Sequence, residues 1–324
     1  MKVLGIECTA HTLGIGVYDS EKDKILANEI NTYKPPKGQG MLPRELADHH
    51  AVVFGEVLKG ALEKSNCSLF DIDIFAFSQG PGIGAPLSVG CAASKYLSLK
   101  YKKPLVGVNH CHAHVEITRH ISGFKDPLVL YLSGGNSQII IKEKKGYHVL
   151  GETLDIGLGN LFDSFARSIG IEGHGSALES FSKGGKYIEL PYSVKGMNLV
   201  FSGLLTQAQK IAKEKDKKDV AFSLMETAFA MSCEATERAL FLTKKKQLLV
   251  CGGVAQNRRL QEMLRTMCED DGVEFAVAPD EYNRDNGAMI AYTGFIMRKK
   301  AKKTKNKIKN VEPLTNFRID QVKL

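Results

Sequence analysis

The sequence of 324 residues contains no tryptophan, no Cys-x-x-Cys pair and no long apolar run. The lack of tryptophan fits the lack of any RNA-recognition module built on stacked aromatic rings. Seven cysteines, an odd number without paired spacing, argue against a disulfide framework and favour a reducing cytosol. A membrane-spanning helix needs roughly 18 or more consecutive apolar residues, and no such run occurs. The chain starts directly with an apolar strand, so no signal peptide is expected, and a cytoplasmic globular protein is predicted.

The composition is that of a globular protein with a surplus of basic residues. Hydrophobic residues make up 43% and charged residues 25% of the chain, and its length predicts two domains. The formal net charge of +8 favours a polyanionic partner such as RNA. Much of the surplus lies in residues 298–307, which a solvated tail would explain equally well.

Alternating apolar strands and amphipathic helices predict an α/β fold. A strand, a polar turn and a second strand at residues 3–18 return at residues 128–142, and this repeat predicts two similar domains. The expected division is 1–125 and 126–297, with the last helix of the second domain packing back toward the first, followed by a basic tail at 298–324. The remaining strands are predicted at residues 72–77, 105–108, 247–251 and 273–276. The helices are predicted at residues 44–64, 86–100, 159–170, 176–184, 203–214 and 219–243, then from His110, after Asn257 and from about Asp285.

A pair of histidines indicates a metal site. His110 and His114 are four residues apart, so on a helix their imidazoles lie on one face and can bind a single ion. Zinc peptidases with this spacing carry a general-base glutamate directly after the first histidine, but position 111 is a cysteine. The ion is therefore expected to position a reacting group rather than to activate water.

Three glycine-rich turns follow predicted strands: QGPGIG at 79–84, SGGN at 133–136 and GGVAQN at 252–257. The missing side chains allow backbone amides to approach an anion, and a following helix would direct its N-terminus at phosphate or ribose. Each turn alone could form without a ligand. Together with the two hairpins they resemble the nucleotide cleft of the actin, sugar-kinase and heat-shock-ATPase (ASKHA) fold. Such kinases carry an aspartate in the first hairpin, where this chain has Glu7, so ordinary phosphoryl transfer is not expected.

Six motifs in order indicate one family: GVNHCHAH at 107–114, YLSGGN at 131–136, GNLFDSFAR at 159–167, FSGLLT at 201–206, GGVAQN at 252–257 and DNGAMIA at 285–291. Together they resemble the universal tRNA threonylcarbamoyladenosine transferases in their archaeal and eukaryotic form, the catalytic subunit of the KEOPS complex. Proteins of this family were formerly described as O-sialoglycoprotein endopeptidases. The likeness extends over about residues 1–297.

The resemblance implies a metal centre and a nucleotide site. One Fe(II) or Zn(II) per chain would be held by His110, His114, Tyr131 and Asp285, and such mixed nitrogen and oxygen ligands suit a borderline cation. The nucleotide would be ATP or threonylcarbamoyl-adenylate. The residues implied to bind it are Tyr131, Leu132, Ser133, Gly134, Gly135, Asp163, Gly175, Glu179 and Asn257. The segment at 173–179 is one residue shorter than the family pattern.

The implied activity is a metal-dependent acyl transfer to tRNA. A separate synthase would supply threonylcarbamoyl-adenylate, and the exocyclic amine of the adenosine 3′ to the anticodon would attack it in tRNAs that read codons starting with A. The implied partners are tRNA, a kinase-like ATPase subunit and small dimerising subunits, with no membrane. Two other interpretations remain: a non-catalytic ATP-binding scaffold or chaperone, and a metallopeptidase. His49 and His50 lie in a predicted helix where only one can face inward.

Overall fold

Two sheets built from short strands organise the chain, and the computed structural model describes residues 1–35, 40–171, 175–299 and 308–323. The strands are β1 (Lys2–Glu7), β2 (Thr12–Asp19), β3 (Lys24–Thr32), β4 (Ile74–Gly80), β5 (Leu105–Asn109), β6 (Leu128–Leu132), β7 (Ser137–Glu143), β8 (Gly146–Glu152), β9 (Val194–Lys195), β10 (Asn198–Leu199), β11 (Gln247–Cys251) and β12 (Glu274–Val277). The helices are α1 (Pro43–Ser65), α2 (Gly84–Tyr101), α3 (His110–Ser122), α4 (Leu158–Ser168), α5 (Gly175–Ser182), α6 (Ser202–Ile211), α7 (Lys217–Thr243), α8 (Arg258–Asp270), α9 (Asp280–Asn283) and α10 (Gly287–Ile296). The predicted α/β class is confirmed.

The two large sheets share one topology. The first has the order β3-β2-β1-β4-β5, with β1 antiparallel to β2 and parallel to β4. The second has the order β8-β7-β6-β11-β12, with β6 antiparallel to β7 and parallel to β11. Both hairpins recognised in the sequence therefore sit at the centre of a sheet and are extended by a third antiparallel strand. The sequence did not predict these added strands, β3 and β8.

Contacts divide the chain into two compact units, Met1–His120 with Arg284–Leu324, and Ile121–Asn283. Residues 284–297 group with the first unit, although the expected division assigned them to the second domain. Their helix, α10, lies on strands β1 and β2 of the first sheet. The first unit is thus discontinuous in sequence.

Glycines bring α10 unusually close to the first sheet. A Cβ added at Gly5 of β1 would lie 2.2 Å from the backbone nitrogen of Ala291. One added at Gly16 of β2 would lie 2.3 Å from that of Ala288, and one added at Gly287 would lie 2.2 Å from the nitrogen of Gly16. Backbone packs directly on backbone here, a contact that only residues without a side chain permit. This packing fixes the N-terminus of α10 and the residues just before it.

The described C-terminal segment, residues 308–323, lies against the first unit. Ile308 joins the apolar core of that unit, and Ile319 and Val322 are also buried. The backbone N–H of Leu314 donates to the carbonyl of Gln79 over 2.7 Å. Of the predicted basic tail, residues 300–307 lie outside the described residues.

The second unit has its own apolar core, formed between its sheet and the surrounding helices. The largest rings in it are those of Phe162, Phe165, Phe201 and Phe229. None of the described helices, in either unit, combines the length and the apolar character that a membrane span requires.

Candidate metal and nucleotide sites

The predicted histidine pair lies at the start of α3. Strand β5 ends at Asn109 and the helix begins at His110, so His110 and His114 occupy one helical face. Their ring centroids are 4.7 Å apart, and their Nε2 atoms lie 3.4 Å and 3.3 Å from Oδ1 of Asp285. The three ligand atoms lie within 4.8 Å of one another, and both histidines are buried. The first unit thus brings together three of the four implied metal ligands.

Glu7 contacts the second ring nitrogen of His110. Its Oε2 lies 3.0 Å from Nδ1 of His110, while its Oε1 accepts hydrogen bonds from the backbone N–H and the hydroxyl of Thr9. A carboxylate that accepts from Nδ1–H fixes the tautomer of the ring and leaves Nε2 available for a metal ion. The glutamate that distinguishes this hairpin from that of a kinase therefore orients a histidine. Sequence reasoning noted Glu7 only as a departure from the kinase pattern.

The electrostatics of the group favour a positive charge at its centre. Burial lowers the pKa of His110, but the negative charges of Glu7 and Asp285 outweigh it and raise this pKa well above its usual value. Burial lowers the pKa of His114, with partial compensation by the hydrogen bond to Asp285. Burial opposes ionisation of Asp285 as well, yet the two histidines hold the pKa of this carboxyl well below its usual value. Two imidazoles and an ionised carboxylate fit a borderline divalent cation such as Fe(II) or Zn(II).

Tyr131, the fourth implied ligand, belongs to the second unit. It is buried in β6, between Cys251 on β11 and Gln138 on β7. Its place in the metal centre stays a prediction.

The loop that contains Gly134 and Gly135 follows β6 and closes on itself. The N–H of Ser133 donates to the carbonyl of Asn136 over 2.8 Å, and the N–H of Asn136 donates to Oγ of Ser133 over 3.1 Å. Gly134 and Gly135 are exposed. Among the described residues no hydrogen bond takes their N–H groups, which are therefore available to an anion.

Helix α4 supports this loop with its own N-terminal amides. The N–H groups of Gly159 and Asn160 donate to the carbonyls of Ser133 and Gly134 over 3.3 Å and 2.9 Å. A Cβ at Gly157 would lie 2.4 Å from the Gly134 carbonyl oxygen. Because the helix uses these donors on the loop, an anion would be bound by the loop amides rather than by the end of α4.

The second glycine turn lies beside the first. Strand β11 is the parallel neighbour of β6, and Gly252, with a φ of 97°, approaches so closely that a Cβ there would lie 2.4 Å from the Leu132 carbonyl oxygen. A short 3₁₀ turn, Gly253–Gln256, separates this residue from α8. Asn257 caps α8, since its Oδ1 accepts from the N–H of Leu260 over 3.0 Å. The helix predicted after Asn257 is confirmed, and the amide nitrogen of Asn257 is not used in this cap.

The remaining implied nucleotide residues lie on α4 and α5. Gly175 begins α5, and a Cβ there would lie 3.9 Å from Oδ1 of Asp163 on α4. Asp163 and Glu179 are half-buried. Of the segment at 173–179, which is one residue shorter than the family pattern, residues 173 and 174 lie outside the described residues.

Backbone amides of the third glycine turn, in the first unit, donate hydrogen bonds to carbonyl groups of the protein itself. The N–H of Gly82 donates to the Thr315 carbonyl over 3.2 Å, and that of Ile83 donates to the Thr9 carbonyl over 2.8 Å. A Cβ at Gly80 would collide with the carbonyl oxygen of Leu314. The glycines at 79–84 thus accommodate the C-terminal segment.

A second pair of histidines, His49 and His50, lies on α1, and His50 bonds to the loop that follows β1. Nε2 of His50 lies 3.1 Å from the carbonyl oxygen of Ala10, and a carbonyl can only accept, so Nε2 carries the hydrogen. Nδ1 of His50 lies 3.0 Å from Nδ1 of His49. His50 is fully buried, and burial, reinforced by His49, lowers the pKa of His50 to about 4.

This low pKa predicts a dependence of stability on pH. Below pH about 6.5 the unfolded chain binds a proton at His50 that the folded chain does not, so stability is lost as the pH falls toward 4. The loss from this group should be about 3 kcal/mol. In His50→Gln, whose amide can still donate to Ala10, this component should be absent. Urea unfolding of both proteins at several pH values between 7.5 and 4 measures it, and parallel pH profiles would contradict the assignment.

The family model for tRNA N6-adenosine threonylcarbamoyltransferase (TsaD) matches residues 24–292 of the chain. The chain belongs to this family. A transferase of this name from Thermococcus kodakarensis is 50% identical over 328 residues, which cover 100% of this chain and 99% of that protein. Another from Archaeoglobus fulgidus is 49% identical, with coverage of 100% and 99%. The expectations of this family and of a transferase that modifies tRNA are confirmed.

Solved structures of low sequence identity show the fold. HypF from T. kodakarensis has a TM-score of 0.66 and 13% identity, with coverage of 94% of this chain and 48% of HypF. Component A of (R)-2-hydroxyglutaryl-CoA dehydratase from Acidaminococcus fermentans has a TM-score of 0.56 and 14% identity, with coverage of 95% and 100%. These likenesses agree with the predicted actin, sugar-kinase and heat-shock-ATPase class, which is confirmed.

Proposed function

We propose that this transferase moves the threonylcarbamoyl group from threonylcarbamoyl-adenylate to the exocyclic amine of the adenosine 3′ to the anticodon, in tRNAs that read codons starting with A. We further propose that it is the catalytic subunit of a KEOPS-type complex in the cytoplasm. The observation that carries the proposal is the group of His110, His114 and Asp285, whose two histidines are buried and whose His110 bonds to Glu7, in a chain of this family.

His110, His114 and Asp285 would hold one Fe(II) or Zn(II), with Tyr131 as the fourth ligand. When bound, the ion supplies a fixed positive charge that orients a phosphate or carbonyl oxygen and offsets negative charge there. Glu7 keeps Nε2 of His110 turned toward the ion by accepting from Nδ1–H. The charge of the ion and the orientation of its ligands would thus be set before the substrate binds.

Ser133, Gly134 and Gly135 would bind the phosphate of the adenylate, the two glycines through their loop amides. Further contacts to the nucleotide would come from Tyr131, Leu132, Asp163, Gly175, Glu179 and Asn257. The adenosine amine is a weak nucleophile, so the rate must come from positioning and charge stabilisation. The new bond joins this nitrogen to the carbamoyl carbon, the bond from that carbon to the phosphate oxygen breaks, AMP leaves with the electron pair, and the nitrogen loses a proton.

The partners that follow from this proposal are tRNA, a separate synthase that supplies the adenylate, and the kinase-like and small dimerising subunits of KEOPS. The net charge of +8 supports a polyanionic substrate. A relative from Methanocaldococcus jannaschii, 46% identical over all of this chain and 60% of its own length, is described as a probable bifunctional tRNA threonylcarbamoyladenosine biosynthesis protein. Its name supports a role in the synthesis of this modified nucleoside.

A reconstituted transfer assay tests the proposal. Unmodified tRNA, labelled threonine, bicarbonate, ATP, the synthase and the other KEOPS subunits are combined with and without this chain. Label is expected in the tRNA only when the chain is present, and at the adenosine next to the anticodon. If the folded, metal-loaded chain added no label to an otherwise competent mixture, a non-catalytic nucleotide-binding scaffold would be the better description.

A further inference from the structure

Asn109 joins the C-terminal segment to the start of the metal-bearing helix α3. This side chain is fully buried and uses both ends of its amide. Its Oδ1 accepts from the N–H of His112 over 2.9 Å, which caps the first turn of α3. Its Nδ2 donates to the backbone carbonyl of Phe317 over 2.7 Å. One residue thus touches both the metal-bearing helix and residue 317.

The C-terminal segment is held in register by strand β4. Nε2 of Gln79 donates to the carbonyl of Glu312 over 2.8 Å, and the Gln79 carbonyl accepts from the N–H of Leu314 over 2.7 Å. Lys95 on α2 adds an ion pair with Glu312, at 2.9 Å. These bonds determine where the carbonyl of Phe317 meets Asn109.

Gly107 shows that strand β5 is adapted to this arrangement. A Cβ at Gly107 would lie 2.3 Å from Oε1 of Gln79, so the missing side chain is what allows Gln79 to lie across β5 and reach the C-terminal segment. Two positions of the motif that contains His110 therefore serve this contact: Gly107 admits Gln79, and Asn109 bonds to Phe317.

We propose that Asn109 is a positioning residue for the metal centre, and that the C-terminal segment, held by Gln79, sets its orientation. His110 follows Asn109 directly, and His114 lies one turn further along the same helix. Because both imidazoles belong to α3, a change in the cap of this helix shifts both of them. Such a shift matters because a ligand set works only when it is held to within about 0.5 Å. The inference rests on the proposed metal site.

Binding of Co(II), used as a spectroscopic probe, tests this inference in the full-length chain. In Asn109→Ser the hydroxyl can still cap α3, but the bond to Phe317 is lost. In Gln79→Met the bond to the Glu312 carbonyl is lost and the C-terminal segment is loosened, while Asn109 and every residue of α3 keep their identity. Each variant should bind Co(II) about 10–100-fold more weakly, the usual effect of losing a residue that orients a ligand. The Co(II) absorption bands should also shift, a change that a purely structural role would not produce.

The matched control is Asp216→Ser, a cap-preserving exchange at the N-terminus of α7 in the second unit. It should bind Co(II) like the wild type. The double variant of Asn109 and Gln79 should be no weaker than Asn109→Ser, because both changes remove one connection. Should Asn109→Ser not fold, Gln79→Met decides alone.

Two results would overturn the inference, and they differ from each other. If the wild type binds Co(II) and the folded variants bind it with unchanged affinity and spectrum, only the positioning role of Asn109 is refuted. If the wild type takes up no Co(II) at all, the metal centre of the proposed function is refuted, and the role of Asn109 with it.

Discussion

His110→Ala is expected to lose its metal and to lower the rate of threonylcarbamoyl transfer by about 10²–10³-fold, the usual cost of removing one preorganised charge-stabilising group. The alanine removes one ligand atom and also leaves the carboxylate of Glu7 buried without its imidazole partner. Metal content of the purified protein and the initial rate of label incorporation into tRNA measure the two effects.

His148→Ala is the matched control for this experiment. His148 is an exposed histidine on β8, so its loss removes an imidazole without disturbing a buried group. It should retain the metal and the wild-type rate. A His110→Ala protein that lacked metal but transferred at the wild-type rate would show that the ion has no part in the reaction.

Gly16→Val should destabilise the first unit by about 3 kcal/mol and also weaken metal binding, although Gly16 is not a ligand. The new Cβ would lie 2.3 Å from the backbone nitrogen of Ala288, and backbone cannot rotate out of the way. Helix α10 must then move away from β2 and carry Asp285 with it. Urea unfolding measures the loss of stability, and Co(II) titration measures the change at the site.

Gly55→Ala serves as the control for this prediction. Gly55 is an exposed residue of α1, and a Cβ there would meet nothing within 4 Å. The exchange should be neutral or stabilise the protein by up to about 1 kcal/mol, since alanine is the better helix former. Equal unfolding free energies for Gly16→Val and the wild type would show that α10 does not depend on this close packing.

Local patterns were sufficient to predict most of the described elements. The predicted strand at 247–251 has the observed bounds, because after Gln247 it is a continuous apolar run whose residues are all buried. By contrast β3 and β8 are partly exposed, with burial that follows no regular alternation, so neither shows the pattern of a half-buried strand.

The sequence predicted the candidate site only where its residues are near each other in the chain. The pair His110 and His114 follows from helical spacing, whereas Asp285 lies 171 residues from His114 and was implied by the family resemblance alone. The contacts of Glu7 and Asn109 span 103 and 208 residues. No periodicity within a short window reports such distances, because folding brings these residues together.

The discontinuity of the first unit has a consequence for the order of events during synthesis. The histidine-bearing helix emerges from the ribosome long before Asp285, and α10 and residues 308–323 emerge after that. Domains fold as units, largely as they emerge from the N-terminus onward, but this unit cannot complete its ligand group until the second unit has been translated. A nascent chain is therefore expected to expose the histidine pair without Asp285. The metal of the proposed centre is expected to be acquired after translation, as one of the last steps of maturation.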